Sequence, residues 1–311
     1  MARTSTLAVI AAATIGSAVF GTFHVRAAQT QGARFRAGVD LVLLNVTVLD
    51  GDQRHVTDLQ QSDFAVLEEG TPQQLTFFRK ADVRLALALV IDSSASMEQA
   101  MTTAQEAAVG FVRELQPSDV GTVIDFDSRV RVVADFTNDR ATLEEAIRST
   151  MSGGSTSLYN ALYIALNELN KIKLSDELEV LRRRVIVLLS DGEDTSSLLS
   201  FEEALDAASR SDTVIYTIGL GIGSPAARRT AGDASFVLSR LAERTGGRAF
   251  FPAQAKDLAG VYRSIREELS NQYVLAYISA SQRSGQWRRV QVRVNRPNVA
   301  VRTRQGYFVG D

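Results

Sequence analysis

Two carboxylates and three hydroxyls stand in this 311-residue sequence at places where it turns away from apolar runs or glycine-rich turns. The first run, LALALVID over residues 85–92, stops at Asp92 and continues as Ser93-Ser94-Ala95-Ser96. Asp92, Ser94 and Ser96 alternate, so a tight loop can aim all three side chains the same way. The second place is Thr156 in GGSTSLYNAL, a glycine-rich turn leading into a helical pattern. The third is Asp191 in LLSDGED, at the end of another apolar run. These donors are all oxygen, and that chemistry selects a hard divalent cation, Mg2+ first, with Ca2+ or Mn2+ as alternatives. Two carboxylates roughly balance the ion. Neutral hydroxyls leave it electrophilic and ready for one more carboxylate from outside.

Other chemistries find little raw material. The chain has no cysteine, which removes disulfides, thiol catalysis and zinc–thiolate sites together. Its two histidines are His24 and His55, so a Ser-His-Asp triad or a His-rich zinc site is not expected. Ser94 and Ser96 lack a nearby base that could activate them as nucleophiles. A phosphatase using Asp92 would want a second acid two positions on, where Ser94 stands. Asp125 and Asp127 form a DxD pair of the kind that holds a metal–nucleotide in some glycosyltransferases. Glu193 and Asp194 read as an exposed acidic loop. Asp92 could also serve as a helix N-cap, as could Thr156. The formal net charge of −2 gives no basic face for nucleic acid, and the Arg182–Arg184 triplet reads as the solvated end of a strand.

The elements that must position the oxygens come in two patterns. From residue 83 to 270 strands alternate with amphipathic helices, and the runs 85–92 and 184–191 are continuous enough for parallel strands covered on both faces. That alternation predicts a doubly wound α/β domain with a mostly parallel sheet, whose ligands sit outside the carboxyl ends of the strands. Residues 36–80 and 271–311 read instead as strands and turns. Each segment is small for a core of its own. They are expected to pair into a small β-sandwich-like module in which the α/β domain is inserted.

DxSxS after an apolar strand, Thr156 before Ala161-Leu162, and the later Ser190-Asp191-Gly192 together resemble the von Willebrand factor A domain. The resemblance covers residues 83–269, with the motifs in the family's order. It implies a metal-ion-dependent adhesion site made by Asp92, Ser94, Ser96, Thr156 and Asp191. The expected function is protein–protein interaction of adhesion type: a divalent cation meets an Asp or Glu of a protein partner, with no enzymatic step. The alternative is a structural protein of envelope assembly, in which the metal only steadies the loops. Residues 1–28 read as a secretory signal peptide, with cleavage after Ala27 or Ala28. The expected chain is therefore exported, periplasmic, cell-surface or secreted, with no membrane span after cleavage. The flanking β segments and the ending RTRQGYF look like a group of exported bacterial proteins. Partner identity and oligomeric state are left open.

Overall fold

A computed structural model describes residues 41–80, 83–172, 182–221, 231–279 and 285–309. The expected signal peptide, and most of the loop expected over 221–232, lie outside the described residues. Residues Val39–Asp311 cluster as one compact unit.

The centre is a six-stranded sheet in the order β10-β9-β8-β5-β6-β7. Its strands are β5 (Arg84–Asp92), β6 (Val120–Phe126), β7 (Val130–Thr137), β8 (Arg182–Ser190), β9 (Thr213–Gly219) and β10 (Ala249–Phe250). All neighbours run parallel except β6 and β7, which form an antiparallel hairpin. Along β5 every residue after Arg84 is buried. The alternation of a strand divides them between two cores. Leu85, Leu87, Leu89 and Ile91 meet α1 (Met101–Arg113), α2 (Arg140–Ser149) and α6 (Leu258–Asn271). Ala86, Ala88 and Val90 meet α3 (Leu158–Lys171), α4 (Phe201–Arg210) and α5 (Ala231–Thr245). This is the doubly wound α/β architecture the alternation predicts.

The flanking segments build two four-stranded sheets. One is β13-β1-β11-β4, from β13 (Ala300–Arg302), β1 (Leu41–Leu49), β11 (Tyr273–Ile278) and β4 (Leu75–Lys80). The other is β14-β12-β2-β3, from β14 (Gly306–Phe308), β12 (Trp287–Val294), β2 (Phe64–Glu68) and β3 (Thr71–Gln73). Val42, Leu44, Val46, Val66, Tyr273, Leu275, Tyr277, Val290 and Val292 share one core. The α/β chain leaves after β4 and returns as β11, and these two strands pair directly, Lys80 opposite Tyr273.

The middle arginine of the basic triplet departs from its sequence-based description. Arg183 is buried, because a strand's two-residue period turns the middle of the triplet inward. It donates to the Leu269 carbonyl at 2.8 Å and to Gln272 Oε1 at 3.1 Å. Tyr273 and Tyr277 of the flanking sheets are fully buried. His55 is half-buried and forms an isolated antiparallel bridge with Leu49.

Candidate functional site

Chain direction puts the site where the winding reverses. From β5 the chain goes first to β6 and β7 on one side, then crosses to β8 and β9 on the other. The carboxyl ends of β5 and β8 therefore border a topological switch point, the place where open α/β sheets leave a crevice for ligands. Asp92 is the last residue of β5, and Asp191 follows the last residue of β8.

Asp92 is fully buried. Its Oδ1 accepts from the Ser94 backbone N–H at 2.9 Å and its Oδ2 from the Ser190 hydroxyl at 2.6 Å. Among the described residues no Lys, Arg or His forms an ion pair with it. Burial pushes its carboxyl up to about 6, with the hydroxyl partners pulling the other way and the charge of Asp191 adding to the rise. Ser94 is buried too, and its hydroxyl lies 3.0 Å from that of Ser96. Asp191 is half-buried, and its Oδ1 accepts from the Glu193 N–H at 3.3 Å. Thr156 is buried in the second loop.

The three loops are laced together through their backbones. Gly153 N–H donates to the Ser93 carbonyl at 2.8 Å, and Ala95 N–H donates to the Gly154 carbonyl at 3.1 Å. Gly154 holds φ at +75°, the left-handed region where a glycine is relaxed and a larger residue is strained. The Thr156 carbonyl accepts from Thr195 and Ser196 N–H groups, both at 2.9 Å, and Thr156 N–H donates to Thr195 Oγ1 at 2.9 Å.

Helix capping is done by other residues. The first free N–H groups of α3, on Tyr159 and Asn160, donate to the Ser197 hydroxyl, both at 3.1 Å, and Asp194 accepts from that hydroxyl at 2.6 Å. Asp194 thus helps fix α3, rather than projecting as part of a free acidic loop, while Glu193 is exposed. Neither Asp92 nor Thr156 makes a capping bond, and α1 starts only at Met101. Asp125 is held by the Arg131 guanidinium through two bonds of 2.8 Å, which ties up one half of the DxD pair.

Sequence reading missed Ser190, the direct partner of Asp92, and the lacing residues Thr195, Ser197 and Asn160. Ser190 had a signal: it sits beside Asp191 at the end of a strand that neighbours β5. Among the described residues no cluster of three or more His, Cys, Asp or Glu side chains could hold a metal, so an ion here would depend on hydroxyl ligands. A buried carboxylate without a cation, beside two clustered hydroxyls and a second carboxylate, has the donor chemistry of a hard-cation site.

A family model described as the von Willebrand factor type A domain matches residues 86–264. The chain belongs to this family. Its A domain is of a kind that mediates protein–protein interactions. A solved von Willebrand factor type A protein from Catenulispora acidiphila is 13% identical, with 89% of this chain and 76% of that chain covered and a TM-score of 0.52, a likeness of fold. The vWF domain of the type V pili tip protein Mfa5 from Porphyromonas gingivalis is 17% identical, covers 59% of this chain and 94% of its own, and has a TM-score of 0.48. Proximal thread matrix protein 1 from the mussel byssus, in a structure with a zinc-occupied MIDAS motif, is 13% identical over 60% of this chain and 48% of its own, with a TM-score of 0.48. The uncharacterized protein sll0103 from Synechocystis sp. is 34% identical over 113 residues, 35% of this chain. The match spans 26% of that relative's length. Among the described residues no helix of the A domain or its flanks is long and apolar enough to cross a membrane.

Proposed function

We propose that the A domain is an exported, non-enzymatic binding module whose Asp92, Ser94, Ser96, Thr156 and Asp191 hold one divalent cation, Mg2+ foremost, with Ca2+ or Mn2+ as alternatives. When bound, the ion supplies a positive charge with an open position for a carboxylate oxygen from a protein partner's Asp or Glu. The observation that carries this reading is Asp92, a carboxylate fully buried at the switch point with no cationic side chain among the described residues paired to it. Without a cation, Asp92 and Asp191 repel an incoming carboxylate. The neutral hydroxyls supply ligand oxygens without adding charge. The competing reading, an ion that only staples the loops, has less support, because backbone hydrogen bonds already lace the loops together.

The test is a Mg2+ titration by calorimetry of the wild type beside Asp191→Ala. Saturable binding to the wild type and none to the variant is expected. A folded wild type that binds no divalent ion would overturn the reading. A chelator that lowers the melting temperature while leaving partner binding intact would favour the staple.

A further inference from the structure

An unusual surface adjoins the site. Leu198 is 95% exposed and Phe236 59% exposed, and large apolar side chains left so open point to a contact surface. Two half-buried rings continue from Phe236 to α3, whose Asn160 holds the backbone of Leu198. Tyr159 and Phe201 have centroids 6.1 Å apart, and Phe201 and Phe236 are again 6.1 Å apart. The row crosses the N-terminal turns of α3 and α4 and reaches α5. Its near end is close to the ion loops: Tyr159 lies three residues beyond Thr156, and Leu198 seven beyond Asp191. The loop carrying Leu198 is pinned to α3, with the Asn160 side-chain oxygen accepting from the N–H groups of Leu198 at 3.2 Å and Leu199 at 3.3 Å. Loops and rings therefore form one preorganised surface. Its charged neighbours toward the site are acidic: Glu193 and Glu202 are exposed, and Asp194 stands under Tyr159.

We propose that Leu198, Tyr159, Phe201 and Phe236 form a docking ledge for the same partner, which is an extended segment carrying one carboxylate, an aromatic or branched aliphatic side chain close by, and a basic flank. This rests on the ion-site reading above. The two ring steps of 6.1 Å each give the row a length that about four residues of an extended chain span, at about 3.3 Å per residue. Exposed aromatics around a polar anchor are the kind of group on which binding energy concentrates. The carboxylates at the edge attract a basic flank and disfavour a segment with several acids.

The experiment selects phage-displayed random peptides on the intact chain in Mg2+, then measures a synthesised winner by fluorescence anisotropy. Enriched peptides should share a carboxylate with an apolar side chain at one fixed spacing from it. Leu198→Ser with Phe236→Ser should weaken the winner on the order of tenfold or more, while Mg2+ calorimetry and the circular dichroism spectrum stay unchanged. Both positions are exposed, so the double variant is expected to fold. Peptides without an apolar consensus, no enrichment at all, or equal binding to the double variant would each overturn the ledge. If the wild type binds no Mg2+, the metal reading falls and this proposal with it. Intact Mg2+ binding with an insensitive double variant removes the ledge alone.

Discussion

At the residue scale the cost to stability falls on Asp92, which is fully buried. Its carboxyl holds a proton up to about pH 6 in the folded chain, against an ordinary value of 3.8. Between these values the folded state binds more protons than the unfolded state, so folding stability falls as pH rises from about 4 to about 6 and is flat beyond. The difference corresponds to about 3 kcal/mol. Asp92→Asn keeps the geometry, since Oδ1 can still accept from Ser94 N–H and the new amide can donate to Ser190. In metal-free buffer at neutral pH the variant is expected to be more stable than the wild type, by up to about 3 kcal/mol, and to bind no Mg2+. Urea unfolding of both proteins at pH 5 and pH 7.5 checks this, because the gap at pH 5 should be about half of that at pH 7.5. A variant less stable at both would show that Asp92 is a structural carboxylate first. The five candidate residues were legible as types and spacing, and the structure brings their three loops together through backbone hydrogen bonds. Ser190 was not, since its role depends on which strand lies beside β5.

At the element scale, the continuous apolar runs of β5 and β8 announced central strands, and the helices followed from their periodicity. What sequence could not reveal was how helix ends meet the flanking sheets. The end of α5 is an example. Gly246 has φ +82°, and a Cβ placed there would meet Arg304 N at 2.5 Å. The helix thus stops against backbone contributed by the last strands of the chain. Arg244 and Trp287 extend the same joint, with the guanidinium 3.8 Å from the ring centroid. Gly110 is the contrast: it is exposed within α1, and a Cβ there meets nothing within 4 Å. Gly246→Ala is expected to cost about 2 kcal/mol or more, from left-handed strain and the backbone clash together. Gly110→Ala should instead stabilise by up to about 1 kcal/mol through helix propensity. Urea midpoints of the two variants decide the matter. A tolerated Gly246→Ala would mean that the joint is loose.

At the scale of the whole molecule, the sandwich and the A domain share a buried polar knot. Glu268 on α6 is buried, and its Oε1 accepts from the Tyr216 hydroxyl of β9 at 2.7 Å and from Thr47 of β1 at 3.3 Å. Gln272 donates to Tyr216 at 2.9 Å and to Thr47 at 3.1 Å, and its own oxygen accepts from Arg183. Arg302 of β13 closes the knot as the ion-pair partner of Glu268. Five elements, α6, β1, β8, β9 and β13, thus meet in the knot, four of them at the Glu268 carboxylate. A buried ion pair adds little net stability compared with apolar packing, but removing one partner leaves the other charge stranded. Arg302→Leu is therefore expected to cost about 3 kcal/mol. Adding Glu268→Gln to that variant should restore part of the loss, since the amide oxygen can still accept from Tyr216 and Thr47 without carrying a charge. Because the knot joins the modules, the Arg302→Leu chain should still unfold in a single transition, followed by near- and far-ultraviolet circular dichroism together. Two separated transitions would show that the sandwich and the A domain are independently stable and that the knot is only a contact between them.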